Sequence, residues 1–265
     1  MKRYFILYVL MVSEALCGCA RPPRRTDVVY QVSTIDALLQ GLYDGEITCG
    51  ELKEHGDFGI GTFDRLDGEM VVTDGTVYQV CADGSVHIPD DNAKVPFAAM
   101  IFFRPDRTAV LKGRLDLNGL ERALDALLPT ENIFYAVRAE GSFTYVKTRS
   151  VPAQDKPYPP LDEAVRKQRT FEFNNAEGTL VGLRCPGYMK GINVPAYHFH
   201  FITRDRRAGG HVLECRLEDA RVAIDGASEF HMVLPHSGEF YRAQLGRDAQ
   251  SPAERAGKAK DKKAR

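Results

Sequence analysis

Three Asp-Gly pairs, Asp67-Gly68, Asp74-Gly75 and Asp83-Gly84, punctuate the run from Gly59 to Ile88 and separate short stretches rich in Val and Thr. Asp-Gly supplies the positive φ angles that tight hairpins need, so this run predicts an antiparallel meander. Other segments extend the sheet-rich reading. Val28 to Val32, Phe97 to Phe103, Ile133 to Val137, Phe143 to Arg149, Thr170 to Phe173, Gly178 to Arg184, Ala196 to Thr203, His211 to Leu217 and Phe230 to Leu234 all carry β-branched or aromatic content that suits strands. The fourth and fifth of these strands, counting the meander as one, are expected to pair as a hairpin around Glu140-Gly141.

Helices are few. Ile35, Leu38, Leu39 and Leu42 follow the i, i+3, i+4, i+7 spacing of one apolar stripe, with Ser33 or Thr34 as cap and Gly45 as terminator. Thr48-Cys49-Gly50-Glu51 has the form of a capping box, and Leu117, Leu120, Leu124, Leu127 and Leu128 mark a helix stopped by Pro129. Strands in runs with scattered helices predict an α+β (mixed α/β) fold of two sheet-rich lobes with mixed or antiparallel strands. Four prolines between Val151 and Pro160 exclude a central strand there and predict a crossing between lobes. The expected division is a leader over 1–18, a linker over 19–27, an N-terminal lobe over 28–150, a C-terminal metal-binding lobe over 151–245 and a basic, disordered tail over 246–265.

The leader expectation rests on Lys2 and Arg3 preceding an apolar run from Tyr4 to Val12, the order of an export signal, too short to span a bilayer as a mature helix. Leu16-Cys17-Gly18-Cys19 looks like a bacterial lipoprotein box, so the expected location is exported, periplasmic or membrane-tethered through an acylated Cys19. Glu14 departs from that pattern, and the plain alternative is a frayed end on a cytoplasmic protein. A formal net charge of -1 gives no reason to expect nucleic acid as partner. Cys49, Cys81, Cys185 and Cys215 show no C-x-x-C spacing, which argues against a cysteine metal site; a Cys185 to Cys215 bridge is left open by spacing alone.

The chemistry concentrates at His198-Phe199-His200-Phe201. In a strand, both imidazoles project to one face and both phenyl rings to the other. The polar loop Thr203 to Gly210 then predicts a hairpin that returns His211 toward the first two. Three histidines with an open position is the catalytic form of a zinc or similar divalent site, whereas a structural site closes with four protein ligands. Taken alone, H-x-H on a strand is more often a surface or core pair than a ligand pair. His55, His87, His231 and His236 lack partners at useful spacing and read as surface or turn residues.

The ordered motifs Gly59-Ile60-Gly61-Thr62-Phe63, Leu66-Asp67-Gly68-Glu69, Phe134-Tyr135-Ala136-Val137, Lys147-Thr148-Arg149-Ser150-Val151-Pro152, Gly178-Thr179-Leu180-Val181-Gly182, and Asn193-Val194-Pro195 through His198-Phe199-His200-Phe201 to Gly209-Gly210-His211-Val212-Leu213 resemble those of the α-acetolactate decarboxylases, from about Tyr30 to Pro235. The resemblance implies a two-lobed homodimer that converts 2-acetolactate to acetoin and carbon dioxide, the metal acting as electron sink for an enediolate. It implies Arg149 as the active-site arginine that orients and binds the substrate carboxylate, Glu69 as the active-site glutamate and proton donor, and Thr62 as a substrate-binding residue whose hydroxyl donates a hydrogen bond to the substrate or to a group beside it. The family also carries a glutamate in its C-terminal tail; simple register puts Gly257 there, and Glu254 is the nearest acid.

Two other readings compete. A different three-histidine metalloenzyme, hydrolase or oxygenase, would use the same imidazoles, although no carboxylate of the kind iron sites favour lies between Ala196 and His200. An exported metal-binding lipoprotein would need a fourth protein ligand and would show no turnover.

Overall fold

The computed structural model describes residues 27–246. The leader, Cys19 and nearly all of the linker, and the tail with Glu254 and Gly257, lie outside the described residues. In chain order the first elements are β1 (Val28–Val32), α1 (Ile35–Leu39), β2 (Ile47–Thr48), α2 (Cys49–Lys53), β3 (Phe58–Thr62), β4 (Glu69–Thr73), β5 (Thr76–Val80), β6 (Val86–His87), β7 (Lys94–Val95) and β8 (Phe97–Ile101). There follow β9 (Arg107–Leu111), β10 (Leu115–Asp116), α3 (Leu117–Asp125), β11 (Phe134–Ser150), α4 (Leu161–Ala164), β12 (Arg169–Cys185), β13 (Ala196–Thr203), β14 (Gly209–Ala227), β15 (Glu229–Val233) and α5 (Gly238–Arg242).

The predicted meander is present as β3 to β6, neighbours in a seven-stranded sheet of order β15-β1-β8-β3-β4-β5-β6. Asp74 and Gly75, at φ 52° and 77°, form the two-residue turn between β4 and β5 with Thr73 opposite Thr76, the left-handed pair a tight hairpin demands. At the other two Asp-Gly pairs only Gly68 and Gly84 take positive φ; there the connections are longer and the aspartate stays in ordinary backbone space. The sheet is mixed because β15 runs parallel to β1, all its other pairings being antiparallel. Thr34 caps α1 by accepting from Ala37 N, and Thr48 with Glu51 forms the expected capping box on α2.

The second sheet is antiparallel, of order β10-β14-β11-β12-β13 with β9 also on β14. The first residues of β14, Gly209 to His211, pair as well with β13, so β11, β12, β13 and β14 close on one another at that end. The hairpin expected around Glu140-Gly141 does not occur: β11 is one strand of 17 residues straight through it. Gly141 is required for a different reason, since a Cβ there would stand 2.2 Å from the Asp219 carbonyl oxygen of β14. Glycine inside a strand marks close backbone approach or a bulge as readily as a turn, and the register indeed shifts next to it at Ser142 and Phe143. Likewise Thr170 to Phe173 and Gly178 to Arg184 are parts of the single strand β12.

Inner faces of the two sheets pack together through Phe58, Ile60, Val71 and Ile101 from the first and Ala136, Val181, Leu183 and Ile202 from the second. The outer face of the second sheet is covered by Leu120 and Leu124 of α3, and that of the first by Cys49 and Leu52 of α2. The layers are therefore α2, sheet, sheet, α3. The proline-rich segment leaves β11 and re-enters the same sheet as β12, bonding meanwhile to the β3–β4 connection through Gln154 N to Arg65 O and Gly68 N to Val151 O. Strands from 107–150 thus serve the second sheet and β15 serves the first, so the boundary between sheets does not fall at Val151. Prolines broke the pairing without changing the sheet.

All four described cysteines are free. Arg184, beside Cys185, lies opposite Tyr135, whereas Cys215 lies opposite Val146. Eleven residues of β11 at about 3.3 Å each separate those registers by roughly 36 Å, and the two thiols belong to cores on opposite faces of the sheet. A bridge needs Cα atoms within about 7 Å, so none joins Cys185 to Cys215.

Candidate active site

Register builds the site. His200 on β13 lies opposite His211 on β14, and His211 lies opposite Arg149 on β11. Residues directly opposite in antiparallel strands share a face, so one row across the sheet carries all three, and the two-residue period of β13 adds His198. The expected hairpin over 203–208 closes with Thr203 N bonded to Ala208 O. Phe199 and Phe201 turn to the opposite face, into the core beneath α3. From the facing sheet come Thr62 and Glu69, opposite each other on β3 and β4. Every candidate residue of the described chain therefore meets at one end of the space between the sheets.

One nitrogen from each of His198, His200 and His211 lies within 4.8 Å of the others, and among the described residues no further His, Cys, Asp or Glu joins that group. His198 Nε2 and His211 Nδ1 stand at hydrogen-bond distance, 2.9 Å, about half an ångström less than the roughly 3.4 Å between two nitrogens held tetrahedrally at about 2.1 Å from one ion. His200 donates from Nδ1 to the Met70 carbonyl at 2.7 Å. That bond fixes the tautomer and leaves the Nε2 lone pair facing the cluster, as backbone carbonyls commonly do for ligating histidines. His200 Nε2 and His198 Nδ1 are buried and without a hydrogen-bond partner, an arrangement that costs free energy unless something binds there.

Burial, reinforced by the nearby Arg149, lowers His198 to about 4. Burial and the neighbouring His198 hold His200 and His211 well below the usual imidazole value. All three rings are thus uncharged at neutral pH and able to donate lone pairs. The donor set, all imidazole nitrogen, suits zinc and related divalent ions. Glu69 behaves oppositely: burial pushes its carboxyl up to about 7, with the Arg149 guanidinium drawing it partway back. Its Oε2 lies 3.5 Å from His200 Nε2.

Thr62 does not donate to a substrate as expected: its hydroxyl hydrogen is spent on the Gly68 carbonyl at 2.7 Å, next to Glu69, so toward a substrate it can only accept. These groups line a cavity of about 520 Å³ whose remaining wall is mostly apolar, with Leu38, Phe97, Val151, Leu161, Val194 and Pro195, and also carries Asp36, Glu121, Lys190 and Asn193. His55 stacks on Tyr30, His87 bonds to Ser85 and His236 to Tyr241; none of them, nor His231, lines the cavity.

Three contributors carried no recognisable sequence signal or only part of one. The Met70 carbonyl has none, because any residue supplies a carbonyl. Asn193 stands in a quoted motif, yet only the structure shows its buried amide bonded to Gln31 Oε1 at 2.6 Å while its Oδ1 accepts from Val194 N. Gly209 and Gly210, expected as the end of the polar loop from Thr203, already belong to β14. They lie so close to both neighbours that a Cβ would stand 2.2 Å from Phe201 O or 2.4 Å from Arg149 O, which lets His211 pair with β13 and β11 at once.

The model of the α-acetolactate decarboxylase family matches residues 29–247. The α-acetolactate decarboxylase of Methanosarcina mazei is 53% identical over 233 residues, 88% of this chain and 81% of that protein. That of Bacillus licheniformis is 43% identical over 224 residues, 84% of this chain and 88% of that protein. The crystal structure of the Bacillus subtilis strain 168 enzyme superposes with a TM-score of 0.81 at 41% identity, covering 83% of this chain and 94% of that one. With its layered sheets, its imidazole cluster and this extent of likeness, the chain belongs to the α-acetolactate decarboxylase family.

Proposed function

We propose that this chain converts 2-acetolactate to acetoin and carbon dioxide, with zinc held by His198, His200 and His211. The observation that carries the reading is convergence: three uncharged imidazoles, a guanidinium and a carboxyl that burial pushes up to about 7 line one cavity whose other walls are mostly apolar. Zinc is the redox-inert choice among the ions imidazole suits, and decarboxylation moves no electrons to or from an external acceptor. When bound, the ion supplies a Lewis acid for the charge that gathers on the substrate oxygens as carbon dioxide leaves.

The protein's own groups do the rest. Arg149 grips the carboxylate in paired hydrogen bonds and keeps its own proton, so it orients and neutralises without acting as an acid. As the carbon–carbon bond breaks, its electron pair moves into the neighbouring ketone. Glu69 holds a proton on its carboxyl near neutral pH and delivers it to the carbon that lost the carboxylate, completing acetoin. The Thr62 hydroxyl, bonded to Gly68 O, steadies the backbone from which Glu69 projects. Apolar side chains around the cavity accept the substrate's methyl groups and exclude water.

The test is to incubate the purified protein with racemic acetolactate and measure acetoin. Acetoin is expected with the metal-loaded protein, its formation is expected to stop when a chelator removes the metal, and restored zinc is expected to recover it. A metal-loaded protein that produces none disproves the assignment.

A further inference from the structure

We infer that Thr148 is a positioning residue for the imidazole cluster, acting through the Gly209 carbonyl to fix the point where β14 leaves β13 and joins β11. The inference rests on the metal reading above. Thr148 is fully buried, and a buried hydroxyl is costly unless it is bonded; here Oγ1 donates to Gly209 O at 2.7 Å. The backbone it holds is pressed between two strands: Gly209 and Gly210 pair with Ile202 and Phe201 of β13, and a Cβ on Gly210 would stand 2.4 Å from Arg149 O of β11. Gly209 and Gly210 lack side chains to pack, and Gly210 sits at φ 127°, where only glycine is unstrained.

The ladder itself is irregular at the same place. Lys147 lies opposite Glu214 but Thr148 lies opposite Val212, which leaves Leu213 as an extra residue. Such a bulge re-aims the side chains beside it, and those beside it here are His211 and Arg149, paired with each other one position further along. Beside this bulge, the Thr148 hydroxyl pins the carbonyl two residues before His211, where the chain must set His211 against His200 on one side and Arg149 on the other.

A threonine that merely filled space would stabilise the fold without affecting the metal. Thr148→Val keeps the shape and removes the donor; Thr148→Ser keeps the donor. Zinc affinity of the full chain is measured by competition with a chromophoric chelator, alongside thermal unfolding and the steady-state constants. Val77→Ala, a fully buried position of the first sheet away from the cavity, serves as the stability control. Zinc binding by Thr148→Val is expected to weaken by about tenfold, the lower end for outer partners of metal ligands. Thr148→Ser is expected to bind as the unmutated chain does, and Val77→Ala likewise despite its lower melting temperature.

Unchanged zinc affinity in Thr148→Val, or equal weakening in Val77→Ala, overturns the inference. If Thr148→Val does not fold, Thr148→Ala removes the same hydroxyl and carries the same expectation and the same refutation. Absence of zinc binding by the unmutated chain overturns the metal reading and this inference together; tight binding by it, matched by Thr148→Val, removes the role of Thr148 alone.

Discussion

Replacing His198 or His211 with alanine is expected to abolish both bound metal and acetoin formation while the protein stays folded. Structural zinc sites with four ligands contribute about 10–16 kcal/mol, so each imidazole lost from a set of three removes on the order of 3–4 kcal/mol, or two to three powers of ten in affinity. Without the ion, the charge that develops as carbon dioxide departs has no sink. The fold should survive, because neither ring belongs to the apolar cluster between the sheets or to the one beneath α3. Elemental analysis and circular dichroism on the purified variants decide the matter. Full metal occupancy in either variant would show that the three rings are not the ligands.

Glu69→Gln is expected to keep the metal and lose the rate. The amide has nearly the same shape and cannot give up a proton at neutral pH, so kcat should fall by about 10²- to 10⁴-fold, the range attributed to a positioned general acid. Metal content should not change, since Glu69 is outside the group of three imidazoles, although it stands beside His200. Stability should not drop either: burial disfavours the charged carboxylate, and glutamine is neutral. Loss of metal from this variant would instead make Glu69 a ligand, and an unaltered kcat would place the proton donor elsewhere.

The imidazole cluster was legible because it depends on two short-range rules. Strand alternation puts His198 and His200 on one face, and a short polar loop before His211 brings the third ring back; both rules operate within fourteen residues of sequence. Glu69 and Thr62 were located through the resemblance and the neighbouring Asp-Gly turn, yet nothing local says that their sheet faces the sheet of the histidines. That relation is made by distant pairings such as β15 with β1, whose five-residue sequences contain no mark of their partners.

Misreadings have the same origin. Glu140-Gly141 looked like a turn because a glycine demanded by close strand approach and one demanded by positive φ are the same letter. Cys185 and Cys215 were compatible as a pair until register placed them far apart along β11 and on opposite faces. The prolines over 152–160 ended a strand, as expected, but the chain returned to the sheet it had left. Thr148 shows the subtler limit: a buried hydroxyl that holds a glycine carbonyl 61 residues away has no signature in the sequence at all.

The central claim is that one cation, held by three imidazoles, is the electron sink of the reaction. Protein stripped of metal by a chelator and then freed of the chelator should be titrated with zinc while acetoin formation from acetolactate is followed. The account predicts negligible rate at the start, a linear rise, and a break at one equivalent per chain. Full activity in the stripped protein, or a rate indifferent to added zinc and to any other divalent ion, would contradict it.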